Sequence, residues 1–139
     1  VGTLHFIPAR PDTIPAPLSL LGSVQAGFPS PAEEELIDTL SLDQYLIPRP
    51  AATYLVQING DSMTGAGIMP GDIAIVERGR VVRDGDVIVA EVDGAWTMKL
   101  LEKQGKRFRL LPANDRYQPI EPGEEMKISG VVVGVVRKY

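Results

Sequence analysis

From residue 51 onward the chain is written in short runs of β-branched and apolar residues, each closed by a pair of turn formers. The runs span residues 54–58, 72–77, 86–92, 96–102, 107–111 and 126–137, and between them stand Asn59-Gly60, Pro70-Gly71, Asp84-Gly85, Asp93-Gly94 and Pro122-Gly123. Strand-length runs with turns at regular spacing specify a mainly-β domain. Asp93-Gly94 lies between two alternating runs and predicts a tight hairpin, which puts Lys99 on the hairpin's second strand. Gly130 and Gly134 interrupt the last run and predict a bulge or a close backbone approach there.

The first 35 residues follow different rules. Proline and small residues dominate, no helical or alternating period is sustained, and the stretch ends in Glu33-Glu34-Glu35. It reads as an extended, mobile arm, with the acidic run as a solvated hinge. Residues 36–47 have room for one short helical turn before Pro48 and Pro50 stop it, with Asp43 as the expected cap. The organisation expected is therefore an arm over residues 1–35 and a β-rich domain over 36–139. A chain of 139 residues with 44% hydrophobic content suits one core of this kind.

Composition removes several function classes. The formal net charge is −4 and the isoelectric point near 5.0, which disfavours wrapping nucleic acid, since phosphate neutralisation needs a lysine- or arginine-dense face. Any contact with DNA is expected through a partner. There is no cysteine, hence no disulfide and no thiolate nucleophile or ligand, and the one histidine, His5, lies in the arm. A histidine triad or metal site is not expected, nor is a cofactor. No run approaches the roughly 20 apolar residues that span a bilayer. The stretch 18–26 ends in small residues as a signal-peptide site does, but Pro8, Pro11, Pro15 and Pro17 break what precedes it, and Arg10 is its only positive charge. A cytoplasmic protein is expected. The chain begins with Val1, which leaves open whether residues stood before it.

Three clusters carry potential chemistry. In Asn59-Gly60-Asp61-Ser62-Met63 a strand ends at a glycine and a serine follows in the turn; alone, such a serine is most often a turn former. In Trp96-Thr97-Met98-Lys99-Leu100-Leu101 a lysine stands among apolar neighbours. Positions 97, 99 and 101 alternate against 96, 98 and 100, so Thr97 and Lys99 have an equally simple reading as a face turned to water. Together the two clusters mean more. A serine hydroxyl needs an adjacent base near neutrality, and without a histidine in the domain lysine is the side chain left for that task. The lysine must then be neutral. Enzymes bring such lysines from about 10.4 to roughly 7–8 by burial among groups such as Met98, Leu100 and Met63, which asks about 3.4 kcal/mol of the core at about 1.36 kcal/mol per pH unit.

The third cluster is in the arm, where Val24-Gln25-Ala26-Gly27 offers small residues on both sides of a peptide bond and a valine able to fill an apolar subsite while the segment adds to a sheet edge. A plain linker is the simpler reading of the same residues. An extended chain covers up to roughly 3.3 Å per residue, so Ala26 is within reach of Ser62. Asp61 and Asn114 are expected to shape turns, or to line the cleft.

Five ordered motifs, AGFPSPA at 26–32, NGDSM at 59–63, GDIAIV at 71–76, DGDVIVAEVDGAWTMKLL at 84–101 and LLPANDRYQPI at 110–120, carry a resemblance that covers nearly the whole chain. They resemble the LexA/UmuD family of self-cleaving serine/lysine peptidases, its UmuD branch more than its LexA branch. The resemblance implies the β-rich catalytic fold shared with signal peptidases, preceded by an extended arm. It makes Ser62 the nucleophile, Lys99 the general base, Ala26-Gly27 the bond cut, and the backbone amides of Asp61 and Ser62 the oxyanion hole. UmuD proteins often carry cysteine before the cut, whereas this chain has alanine, as LexA does.

The resemblance also implies partners: a homodimer, a RecA filament on single-stranded DNA that promotes cleavage by favouring the docked arm, and a UmuC-type Y-family polymerase joined by the trimmed form in error-prone translesion synthesis. A LexA-type repressor is the nearest rival, but the 26 proline-interrupted residues before the cut have no room for a helix-turn-helix. Signal peptidase works at a membrane, and nothing here anchors to one. A non-catalytic interaction module is the remaining alternative.

Overall fold

A computed structural model describes residues 3–7, 17–20, 26, 38–121 and 126–139. Each run expected as a strand is one: β4 (Thr53–Asn59), β5 (Ile73–Glu77), β6 (Val87–Val92), β7 (Ala95–Gln104), β8 (Arg107–Leu111) and β9 (Met126–Val136). Three further strands fall earlier, in and just after the stretch read as an arm: β1 (Thr3–Ile7), β2 (Pro17–Leu20) and β3 (Asp38–Ser41). The chain's contacts divide it into two compact units, Val1–Ala9 with Arg49–Tyr139, and Arg10–Pro48.

In the smaller unit β2 pairs antiparallel with β3, Leu18 facing Leu40, and the helix α1 (Leu42–Leu46) follows at once. The expected helical turn is present at the end of its span, but its cap is Ser41 rather than Asp43. The Gln44 N–H donates to Ser41 Oγ at 3.4 Å, and Asp43 sits inside the first turn, where a carboxylate favours the positive end of the helix.

The larger unit is one antiparallel sheet in the order β1-β4-β5-β9-β6-β7-β8. Its sequence logic is clearest in β6. Val87-Ile88-Val89-Ala90 is apolar without alternation because both faces of this strand are covered. Val89 packs with Val56, Ile58, Met63, Ala74, Val76 and Met98, while Ile88 and Ala90 pack with Leu101, Leu110 and Val131 on the other side. The β6–β7 hairpin turns on Asp93-Gly94 alone, with φ of 50° and 82°, the left-handed pair that a two-residue hairpin requires. The register slips twice along β9, once opposite Ile75/Val76 just beyond Gly134 and once opposite Val89/Ala90 beside Gly130, so both glycines mark bulges.

These bulges bend the sheet, and the bend positions the site. Four strand spacings separate β4 from β7, which in a flat sheet would be roughly 19 Å at about 4.8 Å each. Lys99 of β7 nevertheless touches the turn that leaves β4, at 3.1 Å. The sheet therefore curls towards a partial barrel, as bulges on a long shared strand allow.

Candidate active site

β4 ends at Asn59, and the chain turns through Gly60 and Asp61 to place Ser62 ahead of a 3-10 turn at Thr64–Ala66. Ser62 is only 6% exposed. Its carbonyl accepts the Ala113 N–H at 2.8 Å, the Gly65 N–H returns to the Ala113 carbonyl at 2.6 Å, and Asn114 Nδ2 donates to the Asp61 carbonyl at 2.8 Å. The Tyr117 hydroxyl donates to the Asp61 carboxylate. Among the described residues, neither the Asp61 nor the Ser62 N–H has a backbone acceptor.

Lys99 reaches this turn from the middle of β7, where it stands opposite the wholly buried Ile88. Its Nζ lies 3.1 Å from Ser62 Oγ, 3.0 Å from Thr97 Oγ1 and 3.0 Å from the Met98 carbonyl. The water-facing reading of Thr97 and Lys99 is thereby overturned. They are 4% and 2% exposed, because core clusters cover both faces of β7 and the curled sheet brings the Ser62 turn to the end of Lys99. Among the described residues no carboxylate pairs with Lys99. Burial without a counter-charge pushes its pKa below the usual lysine range.

The three oxygens around Nζ all lie within reach of its N–H groups. When the amine is neutral it keeps two N–H bonds for Thr97 Oγ1 and the Met98 carbonyl, and one lone pair to accept the Ser62 hydroxyl proton. Beside the pair is a cavity of about 10 Å³, walled by Ile58, Gly60, Met63 and Met98 among others. That is the scale of one water molecule or a methyl group.

Not every expected site residue can be located. Ala26 is exposed in a turn. Val24 and Gly27, with Glu33-Glu34-Glu35, lie outside the described residues. Leu100, expected to help dry the lysine, is not among the cavity walls, whereas Met63 and Met98 are. Two contributions went unread in the sequence. Thr97 supplies an oxygen to Nζ, and Ala113-Asn114 clamps the nucleophile turn from 53 residues away along the chain. The signal for the clamp lay in the LLPANDRYQPI run, where Asn114 was expected only to shape a turn or line the cleft and Ala113 had no role.

Residues 19–133 match the model of the Peptidase S24-like family. This chain belongs to that family. Among its relatives, this S24-like chain is 42% identical to protein SamA of Salmonella typhimurium over 113 residues, covering 81% of itself and 79% of SamA. It is 38% identical to the LexA repressor of Carboxydothermus hydrogenoformans over 124 residues, 88% of itself and 60% of the repressor. To the LexA repressor of Anaeromyxobacter dehalogenans it is 38% identical over 135 residues, 94% of itself and 59% of the repressor. The chain thus spans about half to three fifths of the length of the repressors it matches. The resemblance read from the five motifs holds at the level of the family, that of self-cleaving LexA/UmuD-type S24 peptidases. Among the described residues no helix is long and apolar enough to cross a membrane.

Proposed function

We propose that this protein cuts its own Ala26-Gly27 bond with Ser62 and Lys99. The observation that carries the reading is a buried lysine, its pKa lowered by desolvation, 3.1 Å from a serine hydroxyl. As the arm docks, Lys99 Nζ takes the hydroxyl proton and Ser62 Oγ attacks the Ala26 carbonyl carbon. The N–H groups of Asp61 and Ser62 receive the oxyanion. Collapse breaks the Ala26-Gly27 bond, Lys99 returns the proton to the Gly27 nitrogen, and an ester joins Ala26 to Ser62. Water, deprotonated by the same lysine, then frees the enzyme and leaves Ala26 as a carboxylate. The methyl-sized cavity beside Ser62 suits the alanine side chain. Val24 fills an apolar subsite nearby.

The same reading extends to partners. A RecA filament on single-stranded DNA raises the population of the docked state, contributing no catalytic group. The trimmed homodimer then joins a UmuC-type polymerase in the cytoplasm during the SOS response. A second reading, the peptidase part of a LexA-type repressor, is favoured by matches to repressors that take in up to 95% of this chain. It shares the cleavage chemistry. Co-purification of the trimmed form with a UmuC-type polymerase separates the two, since the repressor reading expects none.

Intact-mass analysis of the full chain at pH 7 and about pH 10, beside Ser62→Ala, tests the chemistry. Fragments ending at Ala26 and beginning at Gly27, faster at the higher pH and absent in Ser62→Ala, are expected. A chain that stays whole at both pH values and with activated RecA overturns the proteolytic reading.

A further inference from the structure

Two consecutive carbonyls of the nucleophile turn are held by two consecutive residues of one distant segment. Ala113 N–H donates to the Ser62 carbonyl and Asn114 Nδ2 to the Asp61 carbonyl, both at 2.8 Å. The Asn114 carboxamide has a single consistent orientation. Its Oδ1 accepts the Arg116 N–H at 3.0 Å, a group that can only donate, and its Nδ2 faces a carbonyl, which can only accept.

A peptide unit is planar and trans, so its C=O and N–H point in opposite directions. The Asp61 carbonyl and the Ser62 N–H belong to one such unit. Fixing the carbonyl towards Asn114 turns that N–H away from Asn114. Asn114 is not a wall of the small cavity, whereas Ser62, Met63 and Lys99 are. The only other donor to the Asp61 carbonyl among the described residues is the Thr64 N–H, at 3.3 Å, too long to hold the plane as firmly.

We propose that Asn114 is a positioning residue, which holds the Asp61 carbonyl so that the Ser62 N–H is aimed at the oxyanion formed when Ser62 Oγ attacks. The inference rests on the reading of Ser62 as nucleophile. It also explains the residue type. Aspartate at this position would keep the bond from Arg116 but set a carboxylate oxygen against the Asp61 carbonyl, and alanine would hold neither.

The test is the self-cleavage rate of the full chain from about pH 6 to about pH 11, with thermal midpoints, for the parent, Asn114→Ala and the isosteric Asn114→Asp. Loss of an oxyanion-hole donor costs about 100- to 1000-fold in rate, and a donor left in place but loosely aimed should cost less. Both variants are expected to lower the alkaline plateau by about 10- to 100-fold. Asn114→Ala should leave the pH midpoint, which Lys99 sets, and the thermal midpoint where they are in the parent. A plateau within about threefold of the parent overturns the proposal. So does a fall that comes with a displaced pH midpoint in Asn114→Ala or a collapsed thermal midpoint in both variants, since a merely structural clamp would give that. Absence of cleavage in the parent at every pH is a different result, which removes the proteolytic reading and this one with it.

Discussion

Lys99 is held at 2% exposure by three oxygens that carry no formal charge, so its ammonium is poorly compensated by the fold. Its folded pKa lies below the unfolded value, so between the two the unfolded chain binds the extra proton and stability rises with pH. Below the folded pKa the full penalty applies, and above the unfolded pKa it is gone. Lys99→Met, which keeps the length and removes the charge, should therefore raise the thermal midpoint at pH 7 by a few °C, the response to about 1 kcal/mol in a domain of this size. The gain should shrink as the pH approaches about 10.4, while cleavage is lost throughout. Calorimetry at pH 7 and at about pH 10 checks both halves; an equal gain at the two pH values would show that burial of charge is not the cause. The lysine could not be placed from sequence because alternation separates two faces only when one of them is wet. Thr97, Met98 and Leu101 are all buried, so in β7 both faces are dry and the pattern carries no direction.

The six strands from β4 onward, by contrast, were legible, since each run's length and flanking turn residues are local properties, and Arg107–Leu111 is reproduced to the residue; β1, β2 and β3 were not read, because they fall where proline and small residues break any alternating period. The caps and clamps that hold the loops were less so, because they join positions far apart. Asp72, the residue before β5, is one case. Its carboxylate accepts from Arg137 Nε and Nη2 at 2.7 Å each and from the Met69 N–H at 2.8 Å, and Arg137 also holds the Gly67 carbonyl, tying the end of β9 to the loop after Ser62. The hydrogen bond from Arg137 keeps the Asp72 pKa below the ordinary range despite burial. Stability from this contact is present above the unfolded pKa and is lost as pH falls through the folded one. Arg137→Leu should lower the thermal midpoint at pH 7, and the gap from the parent should close on acidification; a gap that stays constant with pH would rule out the ion pair as its origin. Gly65 is the other case. A Cβ there would lie 2.5 Å from the Ala113 carbonyl oxygen, backbone that cannot swing aside. Gly65→Ala should cost about 1–3 kcal/mol in denaturant unfolding, the range for overpacking, and slow cleavage by displacing the clamp; an unchanged midpoint would mean that the loop yields freely.

The curl that closes β4 onto β7 is a property of the whole sheet, set by two bulges on β9 and by the order in which six later strands pair, and no local pattern encodes it. The same scale decides what cleavage does to the molecule. β1 forms the edge of the sheet, paired with β4 from Thr3 opposite Asn59 to Ile7 opposite Leu55, and β2 pairs with β3 from Pro17 opposite Ser41 to Leu20 opposite Asp38. Both β1 and β2 precede Ala26, whereas β3 and β4 follow Gly27. Cutting that bond therefore converts two intramolecular strand pairings into association with a separate peptide. While the chain is whole, the tether supplies an effective concentration of the order of millimolar; once it is cut, the peptide is diluted to the concentration of the protein itself. Two pairings of four and five residues have little affinity to set against that dilution, since isolated short strands are marginal in water. The fragment should leave at micromolar protein, and β4 should become the edge of the sheet. Hydrogen exchange read on peptides from Thr53–Asn59 should then be faster after cleavage, for those β4 amides that had faced β1, while peptides from β6, paired on both sides by strands that follow the cut, should be unchanged. Protection of β4 that survives cleavage and gel filtration would mean that the cut peptide stays bound, and that cutting the chain does not by itself uncover the edge.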